Sequence, residues 1–396
     1  MSDGSHAITH PRISYIGCWY KNDMYSHNCS NLVNSLRGCG LNIEVVTSNC
    51  RCFTSAQRFD IAADELINSG CTAIKLPHAP HNPGKAKHGL PKYFAVKLLR
   101  LDLWLGLARG FLYYRRTRTA DLIQYDQVLE AFGCVPLFVL AALTRASRRR
   151  LMVTVHEIDP LQKKHRWVNT MYRNCSKILV YSDNMKRALV ELGLDAEKIA
   201  VIRYGATIPE LTPRRRTRYI YFGGHFILRG KGYDSVLGAL ALLRSRGVRI
   251  RLVIYVGHGC NGLEEARQMA SRLGLDDMIE WCEFFTGAEL AAAYQSAKAC
   301  LIPYTGGSAR HPITTAMANA TPVIATRAAD IPEYLGRLGI YVDGSPESLA
   351  DAICNAEAGV MDLETLGAEL RNFAAAELDV DKVANSVAAI YSTAER

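Results

Sequence analysis

The sequence predicts an α/β protein of two domains, each built on a doubly wound parallel sheet. Three observations lead to this prediction. The 396 residues suffice for two hydrophobic cores. Hydrophobic residues make up 49% and charged residues 21%, as is usual for globular proteins. Short β-rich runs alternate with helical stretches, and this alternation restarts near residue 219, which indicates two successive sheets.

The first seven strands are continuous apolar runs separated by helical segments, a pattern typical of a parallel sheet covered on both faces. They are ISYIG (13–17), NIEVVTS (42–48), TAIKL (72–76), ADLIQYD (120–126), LMVTVH (151–156), KILVYS (177–182) and KIAVIRYG (198–205). We assign residues 1–207 to this domain. The Pro- and Arg-rich stretch 208–218 then reads as a linker.

The second domain, 219–375, repeats the pattern. Its strands are YIYFGG (219–224), RIRLVIYVG (249–257), DMIEWCEF (277–284), KACLIPY (298–304), TPVIAT (321–326) and GIYV (339–342). Ligands of open α/β sheets bind at the carboxyl edge of the strands, so two such domains are expected to leave a cleft. Residues 376–396 have helical spacing and are expected to pack back toward the N-terminal domain.

The segment 91–119 departs from this pattern, because it is long, strongly apolar and interrupted by Lys and Arg every few residues. Such a segment cannot span a bilayer. It fits a helix in a membrane interface, with aromatic side chains among headgroups, and equally one or two amphipathic core helices. The N-terminus lacks signal-peptide order, so the expected location is the cytoplasm, with peripheral contact to the inner membrane face under the first interpretation.

The net charge of +9 is unevenly distributed along the chain. Residues 1–218 hold 32 Lys and Arg against 17 Asp and Glu, whereas residues 219–396 hold 15 against 21. A basic half could meet nucleic acid, anionic lipid or a phosphorylated substrate. The arginine clusters lie on linkers and loops without a recognition motif, so nucleic acid is not an expected partner.

Two glycine-rich turns in the second domain are candidate phosphate sites. In the first, Gly223 and Gly224 end a strand, and Arg229 and Lys231 place cations where the next helix opens. The second is built from Gly306, Gly307, Ser308 and Arg310, before a helix that carries Pro312 in its first turn. Both turns follow strands of one sheet, so we expect them to hold the same diphosphate from two sides.

These pieces resemble the family-4 glycosyltransferases, which are retaining enzymes of the GT-B fold, two Rossmann-like domains facing across a cleft. The resemblance is carried by FGG with KG (222–232), RLVIYVGHG (251–259), AMANATPVIATRAADIPEYL (316–335) and GSPESLADAI (344–353), and in the first half by VTVHEID (153–159) and KILVYSDNMKRAL (177–189). It covers most of the chain, strongly over 219–353 and weakly over 50–118.

The resemblance implies roles for single residues. The family's phosphate-binding Lys falls on Lys231, with Arg229 replacing an Arg that usually precedes it, and its cleft His falls on His156. These three are the expected catalytic residues. The other expected donor-binding residues are Gly17, Gly223, Gly224, Glu283, Phe284, Gly306, Gly307, Ser308, Arg310 and Thr315.

One departure from the family pattern concerns two carboxylates. Family members carry a Glu that touches the donor sugar and, eight positions later, a Glu that touches the ribose. This chain has Gly307 and Thr315 there. Thr315 can still bond a ribose hydroxyl, whereas Gly307 has no side chain to offer.

The expected function is therefore a retaining, metal-independent hexosyltransferase that moves a sugar from a nucleotide-diphosphate sugar to a glycan or lipid-linked saccharide. No cofactor and no metal ligand set are expected, since no D-x-D motif stands on a candidate loop and the histidines are dispersed. The alternative is a non-catalytic nucleotide-sugar-binding or scaffold protein of the same fold, which the replaced carboxylates would favour.

Overall fold

The computed structural model describes residues 11–17, 24–47, 101–127, 134–158, 169–282 and 287–393. The chain separates into two compact units. Unit 1 comprises Met1–Tyr181, Met185–Ile202 and Ala384–Arg396, and unit 2 comprises Ser182–Asn184 and Arg203–Val383. Each unit has its own sheet, so each can be described by itself.

The described part of unit 1 is built on a sheet of six strands in the order β2-β1-β3-β4-β5-β6. The strands are β1 (Arg12–Gly17), β2 (Asn42–Thr47), β3 (Leu122–Gln127), β4 (Arg150–Val155), β5 (Lys177–Val180) and β6 (Ile199–Val201). Every neighbouring pair is parallel. The strands are buried on both faces, as in Leu122, Ile123 and Val153, which explains their continuous apolar sequences.

The helices of the first half alternate with these strands along the chain. They are α1 (Met24–Gly38), α2 (Leu101–Arg116), α3 (Cys134–Ala146), α4 (Asn169–Arg173) and α5 (Asp183–Glu191). Helices α2 and α3 flank β3 in sequence and pack against each other. Gly106 and Gly110 lie on the buried side of α2, where small residues allow a neighbouring element to approach closely.

Unit 2 repeats the architecture with the strand order β12-β11-β10-β7-β8-β9. Its strands are β7 (Arg218–Phe226), β8 (Leu252–Asn261), β9 (Ile279–Cys282), β10 (Ala297–Ile302), β11 (Val323–Ala325) and β12 (Ile340–Tyr341), all in parallel pairs. The order reverses at β7 and β10. This reversal is the point where open α/β sheets bind ligands.

The helices of the second half are α6 (Tyr233–Ser245), α7 (Leu263–Arg272), α8 (Gly287–Gln295), α9 (Arg310–Ala318), α10 (Ile331–Leu335), α11 (Pro346–Glu357), α12 (Leu363–Phe373) and α13 (Val380–Thr393). Side chains fix several of their starts. Ser345 accepts a hydrogen bond from the backbone N–H of Ser348, with Pro346 next in the chain. Asp362 accepts from Thr365 in the same way, and this bond lowers the pKa of the Asp362 carboxyl.

The prediction of two doubly wound α/β units is confirmed, and nearly every predicted strand is present. The predicted strand 72–76 lies outside the described residues, as do residues 91–100 of the long apolar segment. The rest of that segment forms α2. The described part of the chain contains no helix with the length and apolar character to cross a membrane.

Two strands extend furthest beyond their predicted ends. Strand β7 continues to Phe226 instead of ending at Gly224, and β8 continues to Asn261 instead of Gly257. Their pairing shifts register on either side of Gly224, where φ is +60°. Register shifts of this kind let a strand bend, and glycine in a strand often marks such a bend. They occur beside the candidate phosphate turn.

Candidate functional site

The two glycine-rich turns of unit 2 follow adjacent strands. The first turn, residues 223–232, spans the end of β7 and the entry to α6, and the second turn, residues 303–309, joins β10 to α9. Strands β7 and β10 are parallel neighbours, so both turns lie at the same edge of the sheet. The sequence predicted this convergence.

Backbone hydrogen bonds join the two turns directly. The carbonyl oxygen of Gly230 accepts from the backbone N–H of Thr305 at 3.0 Å and from that of Gly306 at 3.2 Å. A Cβ atom at Gly232 would lie 1.9 Å from the carbonyl oxygen of Pro303, and φ at Gly232 is +69°. Only glycine combines this left-handed conformation with this close approach. The glycines therefore hold the turns together.

Lys231 reaches from the first turn to the second. Its ammonium Nζ donates to the carbonyl oxygen of Ser308 at 3.3 Å and lies 4.1 Å from the centre of the Tyr304 ring. The carbonyl oxygen of Lys231 in turn accepts from the Tyr221 hydroxyl at 3.1 Å. A cation above an aromatic face is stabilised by the ring quadrupole. Both ends of Lys231 are thus fixed at the shared edge.

The ring of Tyr304, over which this ammonium group lies, is fully buried. Burial raises the pKa of Tyr304 well above its ordinary value, so the hydroxyl stays protonated and donates to the carbonyl oxygen of Phe222. The carbonyl oxygen of Tyr304 accepts from the Thr326 hydroxyl. The first bond ties the ring to β7 and the second ties the Tyr304 backbone to the end of β11, so the ring is a rigid platform for the ammonium group.

Beyond Lys231, the second turn opens toward solvent. Cβ atoms built on Gly306 and Gly307 would meet no atom within 4 Å. Helix α9 begins immediately after, and its N-cap residue Ala309 provides no side-chain cap for the first N–H groups. Backbone donors at a helix start favour anions. Open space, backbone donors and a fixed cation together suit a phosphate group.

The other expected residues of unit 2 that the structure describes lie in the first turn or on helix α9. Gly223 and Gly224 are buried in the last part of β7, Arg229 is exposed in the first turn, and Thr315 is half-buried on α9. Glu283 and Phe284 lie outside the described residues.

Arg310 has a different environment from the one expected. Its side chain is 5% exposed and its guanidinium forms an ion pair with Asp330, itself buried at the start of α10. A buried arginine needs such a partner, because an uncompensated charge is costly in the interior. The structure therefore gives Arg310 a packing role, and its contact with a donor stays a prediction.

Gly17 and His156 belong to unit 1. Gly17 ends β1, and His156 directly follows β4, two strands away in the same parallel sheet. The imidazole of His156 is nearly buried, and its Nε2 lies 2.6 Å from Oδ1 of Asp126. Its ring packs 5.0 Å from that of Tyr181. The histidine is thus held at the carboxyl edge of the sheet, where ligands of such sheets bind.

Sequence reasoning missed two of these residues. Tyr304 ends the predicted strand 298–304, and an aromatic residue directly before a glycine-rich loop is placed to support it. Asp126 was read as the end of a strand, and the available signal was a lone carboxylate closing an apolar run. Among the described residues, no group of three or more His, Cys, Asp or Glu side chains is arranged to hold a metal ion.

Both halves of the chain match models of known families. Residues 31–207 match the model described as Glycosyltransferase Family 4, and residues 217–357 match the model described as Glycosyl transferases group 1. A D-inositol 3-phosphate glycosyltransferase of Corynebacterium urealyticum is 31% identical over 201 residues, 44% of this chain and 47% of the relative. The chain spans about half the length of the curated relatives it matches.

A second relative is the MMP alpha-(1->4)-mannosyltransferase of Mycolicibacterium hassiacum, 31% identical over 40% of this chain and 38% of the relative. Among solved structures, Anabaena HepE in complex with UDP and glucose superposes with a TM-score of 0.74 at 18% identity, covering 97% of this chain and 100% of that one. Sucrose-phosphate synthase from Thermosynechococcus elongatus gives 0.73 at 16% identity, covering 97% and 99%. These structures share the fold.

Proposed function

The chain belongs to the glycosyltransferases described by the family 4 and group 1 models, and from that premise we propose that it is a retaining, metal-independent hexosyltransferase. The donor in this proposal is a nucleotide-diphosphate sugar, with no further cofactor. The observation that carries the proposal is the contact between Lys231 of the first turn and Ser308 of the second. At this contact a cation lies beside open space and beside the backbone amides that begin a helix, all at one edge of the sheet.

These groups suit the charge that develops during glycosyl transfer. When the bond between the sugar and the diphosphate breaks, negative charge grows on the departing β-phosphate oxygen. Fixed donors aimed at such a charge stabilise the transition state without reorganising. Lys231 and the amides near Gly307 and Ser308 are the proposed clamp, and the exposed Arg229 adds a second cation beside it.

We propose front-face attack with retention of configuration. In this step the bond from the anomeric carbon to the β-phosphate oxygen breaks, and the acceptor hydroxyl oxygen bonds to the same carbon. The hydroxyl proton passes to the departing phosphate oxygen. His156 is proposed to contact the sugar, and Thr315 to bond the ribose where the family uses Glu. The open space beside Gly307 leaves room for a differently shaped donor.

The acceptor is proposed to be a glycan or lipid-linked saccharide. The excess of Lys and Arg in residues 1–218 suits an acceptor that carries phosphate. Several relatives are named D-inositol 3-phosphate glycosyltransferases, so that polyol phosphate belongs in the acceptor panel as well.

The proposal is tested first by thermal shift with UDP, GDP, ADP and dTDP. A ligand that binds the native state raises the melting temperature by mass action, so one base should give the largest shift. Release of that nucleoside diphosphate from its sugars, with and without candidate acceptors, then measures turnover. Binding without turnover for every acceptor would favour the non-catalytic alternative. Binding of none would remove the proposal.

We further propose that the protein works against an anionic membrane surface, through helix α2. Trp104, Ala108, Phe111 and Arg115 recur at spacings of four, three and four and are all exposed, so they form one stripe along the helix. Trp104 is 65% and Phe111 54% exposed. The opposite side of α2 is buried. The neighbouring helix α3 also exposes an aromatic residue, Phe138, at 46%.

Arginines lie at the carboxyl ends of the same two helices. Arg115 and Arg118 follow Phe111, and Arg145 and Arg148 occupy the matching end of α3, all exposed. The next residue, Arg149, lies 4.3 Å over the Tyr114 ring and donates to the carbonyl oxygen of Thr117. These two contacts join the carboxyl ends of α2 and α3. Exposed aromatic residues flanked by arginines match an interface of acyl chains and anionic headgroups.

Removing the two aromatic side chains of α2 should weaken this contact strongly. Trp104→Ala with Phe111→Ala is expected to lower binding to phosphatidylglycerol-containing liposomes at least tenfold, since inserting each such side chain contributes about 1.5 to 3 kcal/mol. Flotation measures the binding. Val360→Ala, which removes an exposed apolar residue of unit 2, serves as the control. Equal flotation of the double variant and the wild type would contradict the proposed surface.

A further inference from the structure

A buried carboxylate at the carboxyl edge of the unit 1 sheet accepts hydrogen bonds from two side chains and faces the imidazole of a third. Asp126, on β3, is 3% exposed. Its Oδ2 accepts from the Tyr15 hydroxyl of β1 at 2.9 Å and from the Cys29 thiol of α1 at 3.1 Å. Its Oδ1 lies 2.6 Å from Nε2 of His156. Oδ2 therefore binds the hydroxyl and the thiol, whereas Oδ1 faces the imidazole.

The Tyr15 hydroxyl at Oδ2 keeps its proton. Burial raises the pKa of Tyr15 well above its ordinary value, and the nearby Asp126 carboxylate raises it further. The Tyr15 hydroxyl therefore remains a donor at neutral pH. An ionised carboxylate only accepts hydrogen bonds. The group facing Oδ1 must then donate as well, which requires a proton on Nε2 of His156.

We propose that Asp126 is a positioning residue that holds the imidazole of His156 in the tautomer with its proton on Nε2. Nδ1 then carries the lone pair of the imidazole and acts as a hydrogen-bond acceptor. The catalytic meaning of this assignment rests on the proposed function, in which His156 contacts the donor sugar. An imidazole that accepts from a sugar hydroxyl orients the sugar without giving up a proton. The Tyr181 ring packed against the imidazole supports its orientation.

The two donors at Oδ2 make this proposal testable with Asp126→Asn. The hydroxyl of Tyr15 and the thiol of Cys29 both require an acceptor, so the amide oxygen of asparagine should take the Oδ2 position. Its NH2 group then faces Nε2 of His156 and donates to it. Nε2 must then accept this hydrogen bond with its lone pair, so the imidazole proton moves to Nδ1. An almost isosteric change therefore reverses the tautomer.

The experiment is a long-range ¹H–¹⁵N spectrum of the ¹⁵N-histidine-labelled full chain, with the His156 signals assigned from a His156→Gln sample. The wild type should show a protonated Nε2 and an unprotonated Nδ1, and Asp126→Asn the reverse. With the donor identified by the nucleotide screen, kcat is expected to fall at least 100-fold in Asp126→Asn, while the affinity for the nucleoside diphosphate changes less than twofold.

Tyr15→Phe is the matched control, since it removes another buried hydrogen bond to the same carboxylate. It should keep the Nε2–H tautomer, and both variants must retain the far-UV circular dichroism of the wild type. If Asp126→Asn does not fold, the wild-type and Tyr15→Phe spectra still decide the assignment. A wild-type signal with the proton on Nδ1, or an unchanged tautomer in Asp126→Asn, would overturn it. The tautomer is measured without turnover. The spectrum can therefore confirm or contradict the assignment even if the proposed function fails.

Discussion

Replacing Lys231 with alanine is expected to lower kcat by about 100- to 1,000-fold, the usual cost of removing one preorganised donor at a developing oxyanion. The ammonium is fixed over Tyr304 and bound to the Ser308 carbonyl oxygen. It therefore needs little reorganisation to meet the β-phosphate. The measurement is the release of nucleoside diphosphate from the matched sugar donor.

Lys298→Ala provides the control for this substitution. Lys298 lies on β10 as well, but at its amino end, where it is paired with Glu357 at 2.7 Å. It should leave kcat within about twofold of the wild type, because exposed or half-exposed ion pairs contribute little. Equal activity of the Lys231→Ala variant and the wild type would contradict the clamp.

Replacing Gly232 with alanine should strongly destabilise unit 2. The new Cβ would overlap the carbonyl oxygen of Pro303, and the residue would have to keep a left-handed φ of +69°. We expect the free energy of unfolding to fall by about 2 to 5 kcal/mol, from about 1 to 2 kcal/mol of backbone strain and about 1 to 3 kcal/mol of overpacking. Urea unfolding followed by circular dichroism measures the loss.

Gly247 offers a matched control in the same unit. It has a similar φ of +75°, but a Cβ there would meet no atom within 4 Å. Gly247→Ala should therefore cost only the backbone strain, about 1 to 2 kcal/mol. The difference between the two variants isolates the contact between the turns. Equal losses would mean that the close approach of Gly232 to Pro303 contributes nothing.

The sequence predicted the fold because continuous apolar strands and their spacing are local properties. The pairing of the two turns was also predictable, since parallel strands of one sheet end at the same edge. The strand ends at Phe226 and Asn261 were not, because the bend there depends on how β7 and β8 pair after Gly224. Pairing of that kind is not encoded within either strand alone.

The partners of individual side chains were equally hidden. Arg310 stands in a glycine-rich loop that suggests a ligand, but Asp330, twenty residues later, accepts its charge inside the unit. Asp126 and His156 are thirty residues apart and become neighbours only because β3 and β4 pair in register. Composition and spacing give the type of each residue, whereas long-range strand pairing decides what it contacts.

The central claim is that Lys231 and the second turn bind a diphosphate at the edge of unit 2. Calorimetric titration of the preferred nucleoside diphosphate and the corresponding monophosphate, on the wild type, Lys231→Ala and Lys298→Ala, tests it most directly. Lys231→Ala should weaken the diphosphate at least tenfold, equivalent to about 1.4 kcal/mol, and the monophosphate less than twofold. Unchanged diphosphate affinity, or an equal loss for both ligands, would contradict the claim.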